Sequence, residues 1–219
     1  EWCERRLLAR IHRYTIKKLR SEIEPVSAAN FMRFLFFWHH LDRNNKVQGP
    51  TGVEHVLQKL EGFEAPATAW ESDILPARVE EYDHQWLDML CIAGKITWGR
   101  FRTSPAQKDR VATAPVRATP VTFVGRQHVS LWKASPSGDV ERNLGERAHR
   151  VFMILKSEGA SFFDDIVSRS KLFASQAEDA LAELINAGMI TSDSFTGMRA
   201  LLLPDKYKTN AGHRGDGGM

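Results

Sequence analysis

The amino-acid sequence predicts a helix-rich α+β protein, and three observations carry that expectation. Apolar residues recur at i, i+3, i+4 and i+7 in several separate stretches, the spacing of helices with one buried face. Short alternating runs follow glycines that end such stretches, the order of a helix running into a strand. The chain also resembles itself: residues 87–97 align with residues 181–191, pairing Leu87 with Leu181, Leu90 with Leu184, Gly94 with Gly188, Ile96 with Ile190 and Thr97 with Thr191. Each copy reads helix, helix, helix, glycine stop, strand, turn, strand. That is the winged-helix order, a helix-turn-helix followed by a β-hairpin wing. The architecture expected is therefore tandem winged-helix-like modules, the first with a small β-barrel or expanded wing.

Taken in order, residues 2–24 read as one long helix that stops at Pro25. Arg6, Arg10, Arg13, Lys17 and Arg20 recur at steps of four and three and form one stripe. Leu8, Ile11, Thr15 and Leu19 lie opposite. Ser27 caps a second helix, 28–41, whose Phe31, Phe34, Leu35 and Trp38 form a stripe assigned to a core. Thr51 and Glu54 have capping-box spacing before Val53, Val56, Leu57 and Leu60. A helical segment over 67–75 ends at Pro76, and Asp83 caps a helix that stops at Gly94. Strands are expected at 95–101, 117–124 and 128–132, with a Thr/Ala/Pro/Ser loop over 102–115. The last part gives helices at 145–157, 162–170 and 175–187, the third capped by Ser175 with Glu178, then strands at 189–193 and 199–203. The implied domains are 1–50, 51–133 and 141–204, with a Gly-rich, disordered tail over 205–219. The chain opens on Glu1, Trp2 and Cys3 inside a helical pattern, and reads as a fragment of a longer protein.

Composition is ordinary for a globular protein, 42% hydrophobic and 26% charged with a net charge of only +3, so the distribution of charge says more than its sum. Residues 1–20 hold seven Lys/Arg against two acids, and residues 95–133 hold eight against one. Residues 141–205 hold seven against ten. Two local excesses of positive charge point to a polyanion partner. The candidate contacts are Arg6, Arg10, Arg13, Lys17 and Arg20 on the first helix, and Trp98, Arg100, Arg102 and Arg117 in the second basic region. Trp98 and Phe101 among those cations could stack on unpaired bases. A solvated face or a membrane-surface helix is the alternative for the stripe, and an inward-facing core residue is the alternative for Trp98. The third helix of the second module carries Glu178, Asp179 and Glu183, which phosphates repel, so a structural or protein-facing role suits it better.

No Gly-x4-Gly-Lys-[Ser/Thr] loop, His-Glu-x-x-His motif or clustered Cys/His set occurs, so neither a catalytic residue nor a metal ligand is assigned and no cofactor is expected in this stretch. Two cysteines, Cys3 and Cys91, make no disulfide framework and fit a reducing, cytoplasmic setting. No run approaches a transmembrane helix and no signal peptide is visible, so no membrane partner is expected.

Several unusual strings resemble the region after the motor domains in Large helicase-related (Lhr-type) superfamily 2 ATP-dependent DNA helicases. They are Ala9-Arg10-Ile11-His12-Arg13, residues 19–29, Phe31-Met32-Arg33-Phe34-Leu35, Leu60-Glu61-Gly62-Phe63-Glu64-Ala65-Pro66, Ala69-Trp70-Glu71, residues 74–79, Pro115-Val116-Arg117-Ala118-Thr119-Pro120, and residues 159–165. The resemblance implies an accessory part of an enzyme that couples ATP hydrolysis to 3′-to-5′ movement on single-stranded DNA, with a role in DNA repair. It implies ATP and Mg for the full-length protein, RecA-like motor domains of the same polypeptide and single-stranded or forked DNA as partners, and a cytoplasmic, nucleoid-associated location. Residues 1–50 would then continue the helicase core. The build is also similar to that of AlkZ-type DNA glycosylases, which raises a glycosylase-like repair module as an alternative, although only Gln107-Lys108-Asp109 approaches the motif such enzymes use. A winged-helix transcription regulator is the other alternative.

Overall fold

The computed structural model describes residues 4–22, 24–101, 116–132 and 144–202. The 102–115 loop, with Arg102 and Gln107 to Asp109, and the 205–219 tail lie outside them. The chain divides into two compact units, Glu1–His39 and His40–Met219.

The first unit holds two helices, α1 (Arg5–Ser21) and α2 (Ala28–Trp38). Lys18 and Arg20 sit in the last turn of α1, where the helix dipole favours cations. Ser27 caps α2 as expected, its Oγ accepting from Asn30 N at 3.2 Å. The α2 aromatics do form a row, with ring centroids 6.5 Å apart for Phe31 and Phe34 and 5.9 Å for Phe34 and Trp38. They are not a core: Phe31, Phe34 and Trp38 are 51%, 52% and 50% exposed, and neither helix buries any residue. Periodicity reports that a face is apolar, not what covers it, and two helices cannot enclose an interior.

The second unit begins with α3 (Gly49–Lys59). Pro50 occupies its first turn and Gln48 is the residue before it, so the Thr51–Glu54 box is not used. Proline presets the helical φ and brings no N–H to cap. Val53, Val56 and Leu57 are buried as the spacing requires. Strand β1 (Ala65–Pro66) leads into a short helix α4 (Ala67–Ala69), which widens into a π-turn over Trp70–Ile74. Helix α5 (His84–Ile92) is capped by Asp83, whose Oδ1 accepts from Gln85 N at 2.8 Å. It closes at Gly94, with Gly94 N donating to Cys91 O and Lys95 N to Leu90 O.

Strands β2 (Ile96–Gly99) and β3 (Pro120–Gly125) then pair antiparallel, with Trp98 opposite Phe123, and β1 joins the other edge of β3. The result is an open three-stranded sheet in the order β1-β3-β2. Among the described residues it does not close into the expected barrel. The strand expected at 128–132 is helical: a 3-10 turn over Arg126–His128 runs into α6 (Val129–Trp132). One carboxylate closes that turn, since Glu61 accepts from Gly125 N (3.2 Å), His128 Nδ1 (2.9 Å) and Trp132 Nε1 (3.2 Å). The Trp132 ring lies on Gly62, where a Cβ would come within 2.0 Å of it and where φ is +79°.

Helices α7 (Glu146–Glu158), α8 (Phe163–Ser170) and α9 (Ala174–Asn186) surround a small core of Ala148, Val151, Ile166, Ala180 and Leu184. Gln176, not Ser175, serves the start of α9, its Oε1 accepting from Phe173 N at 3.2 Å. The β-hairpin wing expected next is absent. Residues 189–195 join no sheet, and Thr196–Leu202 forms a helix, α10. Phe195, Met198 and Leu202 stand at i, i+3 and i+7, a helical pattern that the alternation of neighbouring residues hides. Phe195 and Met198 are fully buried in the large core with Trp70, Trp98, Leu87 and Phe123. The second half therefore helps fill the first half's interior.

A polar clamp fixes α10 there. Arg199 Nε and Nη2 donate to the two oxygens of Glu71 at 2.7 and 3.0 Å, and Nη1 donates to Asp88 Oδ2 at 2.6 Å. Tyr82 donates to Glu71 at 2.9 Å, and Phe195 N donates to Asp88 Oδ1 at 2.9 Å. Burial pushes the Asp88 carboxyl up, but Arg199, the Phe195 amide and Thr196 together outweigh it and hold the group below its ordinary value. Removing the guanidinium leaves two partly buried carboxylates facing each other. Arg199→Met should therefore cost roughly 2–4 kcal/mol of unfolding free energy at neutral pH, a little under the figure for a fully buried pair. Asp88 is depressed in the folded state, so its contribution is complete above about pH 4 and fades as pH falls through the folded value. Urea unfolding of wild type and Asp88→Asn across pH 3–7 checks this: the gap between them should narrow only at the acid end.

Candidate nucleic-acid interface

Helix α1 presents the basic stripe as a continuous surface. Arg6, Arg10, Arg13, Lys17 and Arg20 are all exposed, and they span about 21 Å at the helical rise. No acidic residue occurs between Arg5 and Ser21. Leu8, Ile11 and Leu19, on the opposite side, are exposed as well.

The second basic region is assembled differently from what its sequence suggests. Trp98 is fully buried and its Nε1 donates to Ser194 O at 3.0 Å. Strand alternation points Ile96 and Trp98 into the core, so the indole is not a platform for bases. Arg100 is buried too. Its Nη1 donates to Asn186 O at 2.5 Å, and burial lowers its proton affinity while Glu64 works in the other direction. The helix stop at Gly188 makes this contact possible: φ is +71°, and a Cβ would stand 2.4 Å from Arg100 O. Arg117 is exposed, with Nε donating to Leu202 O at 3.1 Å. Lys95 pairs with Glu54 at 2.7 Å. Arg102 lies outside the described residues. Of the nine candidates, the five on α1 share one surface, Arg117 stands on another element, and Trp98 and Arg100 are interior.

Several charges around the helix-turn-helix α8–α9 are engaged within the fold. Arg150 donates to Glu146 at 3.0 Å and to Ser170 O at 3.3 Å, and Glu183 accepts from Gly145 N at 2.6 Å. Cys91, buried on α5, has its thiol pushed up to about 12, chiefly by burial, which makes it a poor nucleophile. Among the described residues no helix is long and apolar enough to cross a membrane.

This helix-rich fold with a small open sheet coincides with a family match. Residues 26–116 match the model described as "Large helicase-related protein, winged-helix domain". Over 217 residues, 98% of the chain, it is 27% identical to the "Lhr helicase/ probable uracil glycosylase" of Mycolicibacterium smegmatis. Over 224 aligned residues, 91% of the chain, it is 25% identical to the "Lhr helicase/uracil glycosylase" of Escherichia coli. The chain is thus similar to a C-terminal, winged-helix-containing region of Lhr-type helicases. It spans 13% and 14% of the length of those two relatives.

The placement of Trp98 separates a folding role from a binding role. Trp98→Ala should lower stability by about 3–5 kcal/mol through the cavity it leaves and the loss of the indole bond to Ser194 O, which keeps its bond from Ser192 Oγ. The affinity of the folded fraction for oligonucleotides should not change. Chemical denaturation combined with anisotropy titration at low temperature measures both quantities.

Proposed function

We propose that this chain is a DNA-engaging accessory module of an ATP-dependent 3′-to-5′ DNA helicase that acts in DNA repair. The observation that carries this reading is the acid-free stripe of five exposed cations on α1. The family match over residues 26–116 supports it, and both relatives are named helicases. The module grips single-stranded or forked DNA in the cytoplasm, at the nucleoid, while RecA-like motor domains of the same polypeptide bind ATP and Mg and supply the movement. Arg6, Arg10, Arg13, Lys17 and Arg20 lie along the phosphates, and Arg117 adds a contact from the second unit. The acidic helix-turn-helix α8–α9 would be turned toward protein rather than toward DNA.

Five phosphate contacts on duplex give a log K against log[salt] slope of about −4.5, and on single strands about −3.5. Arg10→Glu with Arg13→Glu should weaken binding at least about tenfold and flatten the duplex slope by about 1.8. Fluorescence anisotropy on fork and single-stranded oligonucleotides at several salt concentrations tests this. A protein that binds no oligonucleotide even in dilute buffer would sink the proposal.

The names of both relatives also favour a second reading, a base-excising repair activity on uracil in DNA. Incubation with uracil-containing oligonucleotides followed by alkali decides it, and intact strands would dismiss it.

A further inference from the structure

A second cationic point sits in the other unit, where no run of basic residues marks it. Residues 46–48 run parallel to residues 78–80 around a bridge between Val47 and Val79. Val47 N donates to Arg78 O at 3.0 Å, and Glu80 N donates to Val47 O at 2.9 Å. Val79 is buried and Val47 packs against the same core. Backbone alternation therefore sends the flanking residues to the outer side, Lys46 beside Arg78 and Gln48 beside Glu80. The second pair is complementary: Gln48 Nε2 donates to Glu80 Oε2 at 2.5 Å. The first pair is two cations, and like charges at facing positions of paired segments repel.

Neither cation meets a carboxylate among the described residues. Lys46 Nζ donates to Pro76 O at 2.9 Å, and Arg78 Nη1 donates to Ile74 O at 2.8 Å. Both bonds go to carbonyls of one turn, two residues apart in sequence. The Arg78 Nε is enclosed with no acceptor, and Nη2 has none among the described residues. Burial lowers the proton affinity of this guanidinium, and no neighbouring negative charge restores it. A guanidinium whose Nη2 is spare, beside a point ammonium, suits the oxygens of one phosphate, each cation contributing a charge-assisted bond.

We propose that Lys46 and Arg78 form a phosphate-binding point of the winged-helix domain, taking one backbone phosphate of the nucleic acid. The identity of that ligand rests on the DNA-engaging reading above; the anion chemistry stands on the geometry alone. Its residues are not those of α1, so the two can be disabled independently.

The test uses the whole 219-residue chain with Lys46→Gln, and Lys46→Gln combined with Arg78→Gln. The single variant leaves the guanidinium bond to Ile74 in place and guards against loss of fold. Binding of a forked oligonucleotide is followed from 50 to 200 mM NaCl. In parallel, the arginine Nε–H resonances of wild type are followed by NMR during titration with inorganic phosphate at constant ionic strength. The double variant should bind roughly three- to tenfold more weakly, with a salt slope shallower by about 0.9, the share of one phosphate. The single variant should lose part of the same affinity, and the Arg78 Nε–H of wild type should shift with phosphate. Folded variants with wild-type affinity and slope, together with an Arg78 resonance indifferent to phosphate, overturn the site while wild-type DNA binding keeps the functional reading. An Arg78 shift with phosphate in a protein that binds no DNA keeps the anion site and overturns that reading. Silence in both measurements overturns both.

Discussion

A buried indole N–H must find an acceptor, and the acceptor for Trp98 is the carbonyl of Ser194, far along the chain. Much of the second unit follows from that requirement. To deliver the Ser194 carbonyl, residues 189–195 must run beside β2, and Thr191 Oγ1 also donates to Trp98 O on the way. That route brings Phe195 edge-on to Trp98 at 5.5 Å and within 5.3 Å of Phe123. It starts α10 where Arg199 can fork onto Glu71 and reach Asp88. At its upstream end, Arg100 reaches Asn186 O, Thr119 donates to Asn186 Oδ1, and only a glycine at position 188 lets the two backbones approach.

The same route explains where the sequence was readable and where it was not. Helix ends are local devices, so Ser27, Asp83, Gly94 and Gly188 declared themselves. The internal repeat is real through the helix, the glycine and the threonine. It fails at the next position, where Trp98 has Phe123 across the ladder and its counterpart Ser192 has no such partner. A strand needs a neighbour, and alternation in residues 189–203 could not reveal that Trp98 and Asp88 had already claimed those backbone groups. Residues 128–132 misled for a related reason: Glu61, more than sixty positions upstream, gathers His128 and Trp132 onto one carboxylate.

Charge was legible as a sum and much less so as a surface. Lys95, Arg100, Arg150 and Arg199 count toward basic content, yet each is engaged by a carboxylate or carbonyl within the fold. The α1 stripe was visible because helical spacing makes it a local pattern. Lys46 and Arg78 were not visible, because a two-residue bridge between distant segments brings them together and leaves no periodic trace.

What unites the two cationic surfaces is that neither follows from the stability of the fold. Along α1 the pairs Arg6–Arg10, Arg10–Arg13, Arg13–Lys17 and Lys17–Arg20 are all neighbours at i+3 or i+4. Each like-charge pair costs a helix about 0.2–0.5 kcal/mol, so four cost about 1–2 kcal/mol. The helix buries no residue to offset this, and most helical stability in proteins comes from packing an apolar face. Lys46 beside Arg78 is the same arrangement on a smaller scale. In both places an anion lowers the free energy by removing repulsion as well as by adding attraction. Under the proposed function, binding and local order would be linked: a phosphate donor would also stiffen the surface that receives it. A solvated face under no demand but solubility would interleave acids, as α7 does with Glu146 and Arg150. The absence of acids from α1 is the feature on which the proposed polyanion contact rests.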